Sequence, residues 1–305
     1  MTHERPYLGI LLMLGFCVLA PVEDGIAKLL GDRVGLGQLL LVRFGIQAAM
    51  LLLLVAVLRP GVALSRRLVG LTLLRTVLHI LGIGLMFSAL QYPPLADAIA
   101  IAFVMPFILL LLGHYVLGEE IGASRVWACA VGFAGTLLVI QPNFVEVSAP
   151  ALLPLGVALV FAVFILVTRQ VAKKVGAVGL QAISGVQATV ILVPLTLLLP
   201  TAHGGGVFWP EGSVLWLLGT LGVVGTLAHL LMTGSLRFAL ASTLAPMQYL
   251  EIPFGAAIGW LMFRELPNGL AALGIAVTIG AGGYIIGRER RLSHRPPIPP
   301  APPAA

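Results

Sequence analysis

The chain has 305 residues, 59% of them hydrophobic and only 10% charged, against roughly 25% charged in a soluble globular domain. That composition cannot supply a water-facing surface, which excludes an ordinary soluble enzyme or binding module. The net charge of +6 would suggest a nucleic-acid partner in a soluble protein, but here the basic residues sit in short gaps between apolar stretches, where they report topology instead.

Apolar stretches approach the ~20 residues needed to cross a bilayer at 7–30, 36–58, 68–90, 95–117, 125–141, 151–171, 178–199, 213–234, 241–263 and 268–287. The expected fold class is therefore all-α and integral to the membrane, with ten transmembrane helices. A competing reading of the first 25 residues is a secretory signal: Arg5, a short apolar core and "VLA" before Pro21. Beyond the last span, "RERRLSHRPPIPPAPPAA" (288–305) is basic and then proline-rich, and disorder is expected there. The two cysteines, Cys17 and Cys129, lie inside apolar spans and suggest neither a disulfide framework nor a metal site.

With both termini on the cytoplasmic side, thirteen basic residues fall in inner segments, among them Arg66, Arg67, Arg125, Lys173, Lys174 and Arg288. The outer loops hold two, Arg33 and Arg264. Such a bias fixes the expected orientation in a cytoplasmic (inner) membrane. The halves also resemble each other. "LMFSALQY" (85–92) aligns with "LMTGSLRF" (231–238) at a shift of 146. Ala128, Gly132 and Thr136 align with Gly274, Thr278 and Gly282 at the same shift, and "MPF" (105–107) with "IPF" (252–254) one residue off it. Two repeats of five spans each are expected, at 7–141 and 151–287. Because five is odd, the second repeat enters the membrane upside down. Inverted repeats are a construction of secondary transporters, where exchanging the two repeats' conformations exchanges inward-open and outward-open states.

In this order, "EDGIAKLLG" (23–31), "VRFGIQ" (42–47), "ALQYPPLADAIAIAFVMPFILLLL" (89–112), "GEE" (118–120), "VGFAGTLLVIQP" (131–142) and "APMQYLEIPFGAAIGWLMFRELP" (245–267) resemble the ten-span EamA-type branch of the drug/metabolite transporter superfamily. The resemblance covers residues 8–287. It is closest to members that carry S-adenosylmethionine or riboflavin. It implies a central cavity lined by spans 1, 3, 4, 6, 8 and 9, with spans 5 and 10 peripheral. The small-xxx-small stripes of spans 5 and 10 suit that role, because small residues let helix backbones approach closely.

An ionisable side chain at mid-bilayer costs on the order of 3 kcal/mol on insertion scales, so each one is a candidate for the transport pathway. Span 1 carries Glu23, Asp24 and Lys28; Asp24 and Lys28 are one turn apart and can neutralise each other on a face that continues through Pro21 and Cys17. Two readings stay open. The charges either mark an interfacial helix end near Ala20 or form the outer rim of an aqueous cavity, with Pro21 breaking the helix and Arg43 of span 2 as a partner. Span 3 offers Arg75, within snorkelling reach of the inner face, and His79 near mid-span. His229 of span 8 lies at comparable depth. Each histidine reads either as an interhelical hydrogen-bond partner or as a proton carrier. Span 9 places Gln248, Glu251, Gly255 and Gly259 on one stripe between Pro246 and Pro253, with Tyr249 on another face, where it could stack on a flat substrate. Asp97 reads as rim, Glu119, Glu120 and Glu265 as helix-end residues, and Gln181 and Gln187 as either pathway or helix–helix contacts.

No H-E-x-x-H, CxxC, GxSxG or phosphate-cradling motif is present. The expected function is a secondary carrier of small organic metabolites working by alternating access, with protons as the candidate coupling ion. No catalytic residue, cofactor, metal or nucleic-acid partner is expected. Export is the leading direction, and uptake of S-adenosylmethionine- or riboflavin-like compounds the alternative. A different class, an integral-membrane enzyme acting on lipid-linked substrates, would want paired acids or histidines at one membrane face. The lipid bilayer and a small-molecule substrate are the expected partners, the protein itself a monomer or homodimer.

Overall fold

A computed structural model describes residues 5–31, 33–58, 65–89, 102–141, 152–198, 209, 211–264 and 268–293. The helices are α1 (Pro6–Gly31), α2 (Leu36–Leu58), α3 (Arg66–Ala89), α4 (Met105–Leu117), α5 (Ala123–Ile140), α6 (Leu152–Val175), α7 (Ala177–Leu198) and α8 (Gly212–Phe238). Then come the short α9 (Ala241–Leu244), a 3-10 segment (Ala245–Leu250), α10 (Glu251–Phe263) and α11 (Gly269–Ser293). Among the described residues seven helices are long and apolar enough to cross a membrane, and α4 and α5 are shorter apolar helices. The described residues fit ten spans. The first part of the expected fourth span, with Asp97, lies outside them, as do Glu265 and residues 294–305.

The spans are helical because a buried backbone in hydrocarbon must satisfy its own hydrogen bonds. Among the described spans the ninth deviates most from a continuous α-helix. Pro246, near the start of the 3-10 segment, and Pro253, in α10, both lack the N–H an unbroken α-helix would use. A six-residue 3-10 segment accommodates Pro246. Span 1 behaves otherwise. Pro21 lies inside α1 and the helix runs on to Gly31, so the expected break at Pro21 and the alternative stop near Ala20 are both corrected. Neighbouring helices hold the backbone in line, the usual way a membrane helix tolerates proline. The same helix packs along α8 and α10, as an integral part of the bundle. At the other end α11 continues past 287 to Ser293, because "GRERRLS" extends the helical turns beyond the apolar stretch.

Helix pairing is selective. The principal neighbours are α1 with α8, α2 with α7, α3 with α6, and α5 with α11; α2 also meets α8, α3 meets α7, α1 meets α10 and α4 meets α6. The α5–α11 seam is built on glycine. A Cβ on Gly274 would lie 2.5 Å from the Gly135 carbonyl oxygen, and one on Gly135 would lie 2.8 Å from Thr278. Backbone contact of this kind is what small residues permit in a membrane, where no hydrophobic force draws helices together. Thr136 and Thr278 turn their hydroxyls back onto the carbonyls of Gly132 and Ile275, at 2.9 and 2.8 Å, leaving the seam apolar.

Candidate substrate and ion pathway

Two polar assemblies occupy the interior. The first is a closed network among α1, α2, α3, α6, α7 and α8. Arg43 is fully buried. Its Nε donates to the Glu23 carboxylate at 3.0 Å, Nη1 to Gln47 at 2.6 Å and Nη2 to the Gly225 carbonyl at 3.1 Å. Gly225 belongs there for a steric reason: a Cβ at that position would overlap the Glu23 carboxylate. Gln47 passes the network on, donating to the Gln181 carbonyl (2.8 Å) and side chain (3.0 Å). Gln181 in turn donates to the His229 carbonyl (2.7 Å) and the Thr233 hydroxyl (2.8 Å).

Arg75 sits at the other end. Of the two readings open for Arg75, pathway residue or snorkelling side chain, the snorkelling one is corrected: it is fully buried and donates to Thr168 (2.8 Å), Ser184 (2.6 Å) and Thr233 (3.3 Å). Its guanidinium lies 4.7 Å over the Phe164 ring, a cation–π contact that offsets part of the charge's desolvation. Three hydroxyls from three helices hold it, and among the described residues no carboxylate does. His79 and His229 meet directly, Nε2 to Nδ1 at 3.1 Å, and His229 Nε2 lies 3.9 Å from Glu23. Both histidines are buried, His79 stacked on Phe164 and edge-on to Phe44. The expected depth match between them holds, but in this conformation water does not reach His79. Glu23 is likewise buried, so it belongs to the network and not to a rim.

The second assembly is the seam between α1 and the ninth span. The stripe Cys17–Pro21–Asp24–Lys28 faces that span. The Cys17 thiol donates to the Met247 carbonyl at 3.5 Å, Pro21 lies 4.0 Å from where a Cβ on Gly255 would be, and Lys28 Nζ sits 4.4 Å over the Phe263 ring. Asp24 forms no hydrogen bond or ion pair among the described residues, and none joins it to Lys28. That corrects the expected one-turn neutralisation: Lys28 leans onto Phe263 of the facing helix. Asp24 and Glu251 are both half-buried. Glu251 opens α10 with no side-chain hydrogen bond among the described residues. One 3-10 turn before it, Gln248 is 1% exposed, and neither its Nε2 nor its Oε1 has a hydrogen-bond partner. Orphaned buried amides are rare in native proteins.

Tyr249 departs from expectation. It is fully buried, its ring fills the space beside Gly132, where a Cβ would come within 2.5 Å, and its hydroxyl donates to the Phe103 carbonyl at 3.3 Å. It ties the 3-10 segment to α5 and offers no face to a substrate. Gln187 is a helix–helix contact, accepting from Thr76 (2.8 Å) and donating to Thr72 (3.3 Å).

A third feature escapes sequence reasoning. Arg169 donates to Glu119 at 2.9 Å, to the Leu236 carbonyl at 2.8 Å and to the Ala239 carbonyl. Glu119 accepts from the backbone N–H groups of Ala241 (3.2 Å) and Ser242 (2.8 Å). The pair thus clamps the end of α4, α6, the last turn of α8 and the start of α9. Glu119 is a helix-end residue as expected, though the helix it caps is not its own. In the sequence Arg169 is only one of the thirteen basic residues of the inner segments, where it reports topology and no partner.

Among the described residues no group of His, Cys, Asp and Glu is arranged to hold a metal. The model of the EamA-like transporter family matches residues 7–141. The riboflavin transporter of Rhizobium johnstonii is 31% identical over 230 residues, 73% of this chain and 72% of that protein. The pseudopaline exporter CntI of Pseudomonas aeruginosa is 29% identical over 71% of the chain and 74% of its own length. The S-adenosylmethionine uptake transporter of Rickettsia prowazekii is 24% identical over 94% of the chain and 95% of its own. A solved crystal structure superposes with a TM-score of 0.74 at 18% identity, covering 93% of this chain and 97% of that one. These relatives are named as transporters and not as enzymes, which retires the lipid-linked-substrate enzyme. The protein is a multi-pass membrane transporter of small molecules, and the chain belongs to the EamA-like transporter family.

Proposed function

We propose that the protein is a secondary carrier of small organic metabolites in the cytoplasmic membrane, working by alternating access between inverted repeats at 7–141 and 151–287. The observation that carries this reading is the pattern of helix neighbours. Shifting every span by five turns α1–α8 into α6–α3, α1–α10 into α6–α4 and α2–α8 into α7–α3, and returns α2–α7 and α5–α11 to themselves. Two-fold pseudosymmetry with its axis in the membrane plane produces that exchange. Both termini lie in the cytoplasm on this reading. The Glu119–Arg169 clamp then closes the inner end, while Asp24 and Glu251 remain accessible on the outer side. Glu251 is the coupling or anchoring group, and protons are the coupling ion. Net direction follows whichever gradient drives the cycle, so the same machinery serves export and import.

Reconstitution in proteoliposomes tests the reading. Glu251→Gln keeps the size of the side chain and removes its titration. Proton-driven accumulation should vanish while substrate exchange persists. Normal pH-dependent accumulation by that variant would move Glu251 from mechanism to packing. Labelling of Lys173 or Lys174 by an impermeant reagent from outside would overturn the orientation.

A further inference from the structure

Most buried polar groups described above are matched to a partner within the protein; His79 Nδ1 in the closed network is not, and of the buried side chains without a partner only Gln248 has both of its polar atoms unpaired. Glu23 has Arg43, Glu119 has Arg169, and the glutamines of α2 and α7 are bonded. On the seam between α1 and the ninth span, Asp24, Glu251 and Gln248 have no such partner among the described residues. In a 3-10 helix, side chains three apart eclipse one another, so Gln248 and the adjoining Glu251 share one face. Pairing along the seam (Cys17 with Met247, Pro21 with Gly255, Gly25 with Met262) sets Asp24 on the same seam, roughly two helical turns outward of Glu251. The one cation on this stripe, Lys28, lies over Phe263 at the outer end; the nearby guanidinium of Arg43 is held by Glu23.

Resting on the carrier reading, we infer that the substrate is an organic cation carrying an amide-like group. Its positive charge is taken first by Asp24 and then by Glu251. Its donor–acceptor edge is read by the Gln248 amide, which offers one carbonyl oxygen and one NH2. Neutral compounds would offer neither carboxylate a countercharge and leave that role to protons, and anions would be repelled by the ionised pair. A site built to hydrogen-bond a group rejects analogues that lack it more sharply than an apolar pocket does.

Binding to the full-length protein in lipid nanodiscs tests this with three flat probes of similar size: 1-methylnicotinamide, a cation with a carboxamide; nicotinamide, which is neutral; and 1-methylpyridinium, a cation without the amide. We expect 1-methylnicotinamide to bind about tenfold or more tighter than nicotinamide, the scale of one desolvated charge pair. Glu251→Gln and Asp24→Asn should each erode that preference. Gln248→Leu should weaken 1-methylnicotinamide and leave 1-methylpyridinium unchanged. Equal binding of nicotinamide or riboflavin, survival of the preference in Glu251→Gln, or no binding of either cation would each overturn the inference. Thermal unfolding of every variant verifies folding, and Asp24→Asn reports the charge preference should Glu251→Gln not fold. Counterflow of 1-methylnicotinamide in proteoliposomes separates the two claims: binding without counterflow removes the carrier reading and leaves the site.

Discussion

Glu23 and Asp24 are neighbours in sequence and opposites in the fold. About 100° of helix rotation sends Glu23 toward α2 and α8, where Arg43 and a glycine-shaped recess receive it, and Asp24 toward the ninth span, where no described residue hydrogen-bonds it. The same division separates the two interior assemblies. Around Arg43, Gln47, Gln181 and Arg75 nearly every donor finds an acceptor, and the arrangement holds helices together. Around Gln248 and Glu251, donors and acceptors are left open. A half-satisfied polar group in low dielectric is expensive, so the open set is where a bound molecule would gain most, which is the basis of the proposed site.

If that contrast is right, the closed network should bear on stability and the open seam on transport. The largest stability effect is expected for Arg43→Ala. It strands the buried Glu23 carboxylate, and loss of one partner of a buried ion pair costs about 3–5 kcal/mol. A large fall in the thermal midpoint of the detergent-solubilised protein measures it, and Glu23→Gln combined with Arg43→Gln should recover part of the loss. Next comes Gly274→Ala, which forces a methyl onto the Gly135 carbonyl and should cost about 1–3 kcal/mol by overpacking, read by the same unfolding assay. Gln187→Leu, at a half-buried contact with Thr72 and Thr76, should cost about 1 kcal/mol. The smallest stability change, within about 0.5 kcal/mol, is expected for Glu251→Gln, the variant with the largest expected loss of driven transport. A large destabilisation by Glu251→Gln with transport intact would erase the distinction between the two assemblies.

Several features were legible in the sequence. The helical membrane class followed from composition, the close-packing stripes of α5 and α11 from their small-residue spacing, though not that they pack on each other, and the face Cys17–Pro21–Asp24–Lys28 from helical periodicity. Glu251 stood out as an acid at mid-span. Other features were not legible because they depend on which helix lies opposite. Arg75 read as a snorkelling side chain until Thr168, Ser184 and Thr233 from three later helices closed around it. Tyr249 read as a substrate platform until Gly132 of α5 received its ring.

What the sequence by itself determined is the set of properties fixed by one helix at a time: span length, apolar faces, small-residue stripes and the depth of each charge. These depend on 3.6-residue periodicity and on the thickness of the bilayer, both known without the fold. Only the tertiary structure decided which charges are neutralised. Glu23 against Arg43, Glu119 against Arg169 and His79 against His229 are separated by 20, 50 and 150 residues. Only the packing of α1 on α8, α3 on α6 and α4 on α6 brings such groups within hydrogen-bond reach, and the same packing leaves Asp24, Gln248 and Glu251 without a hydrogen-bond partner among the described residues.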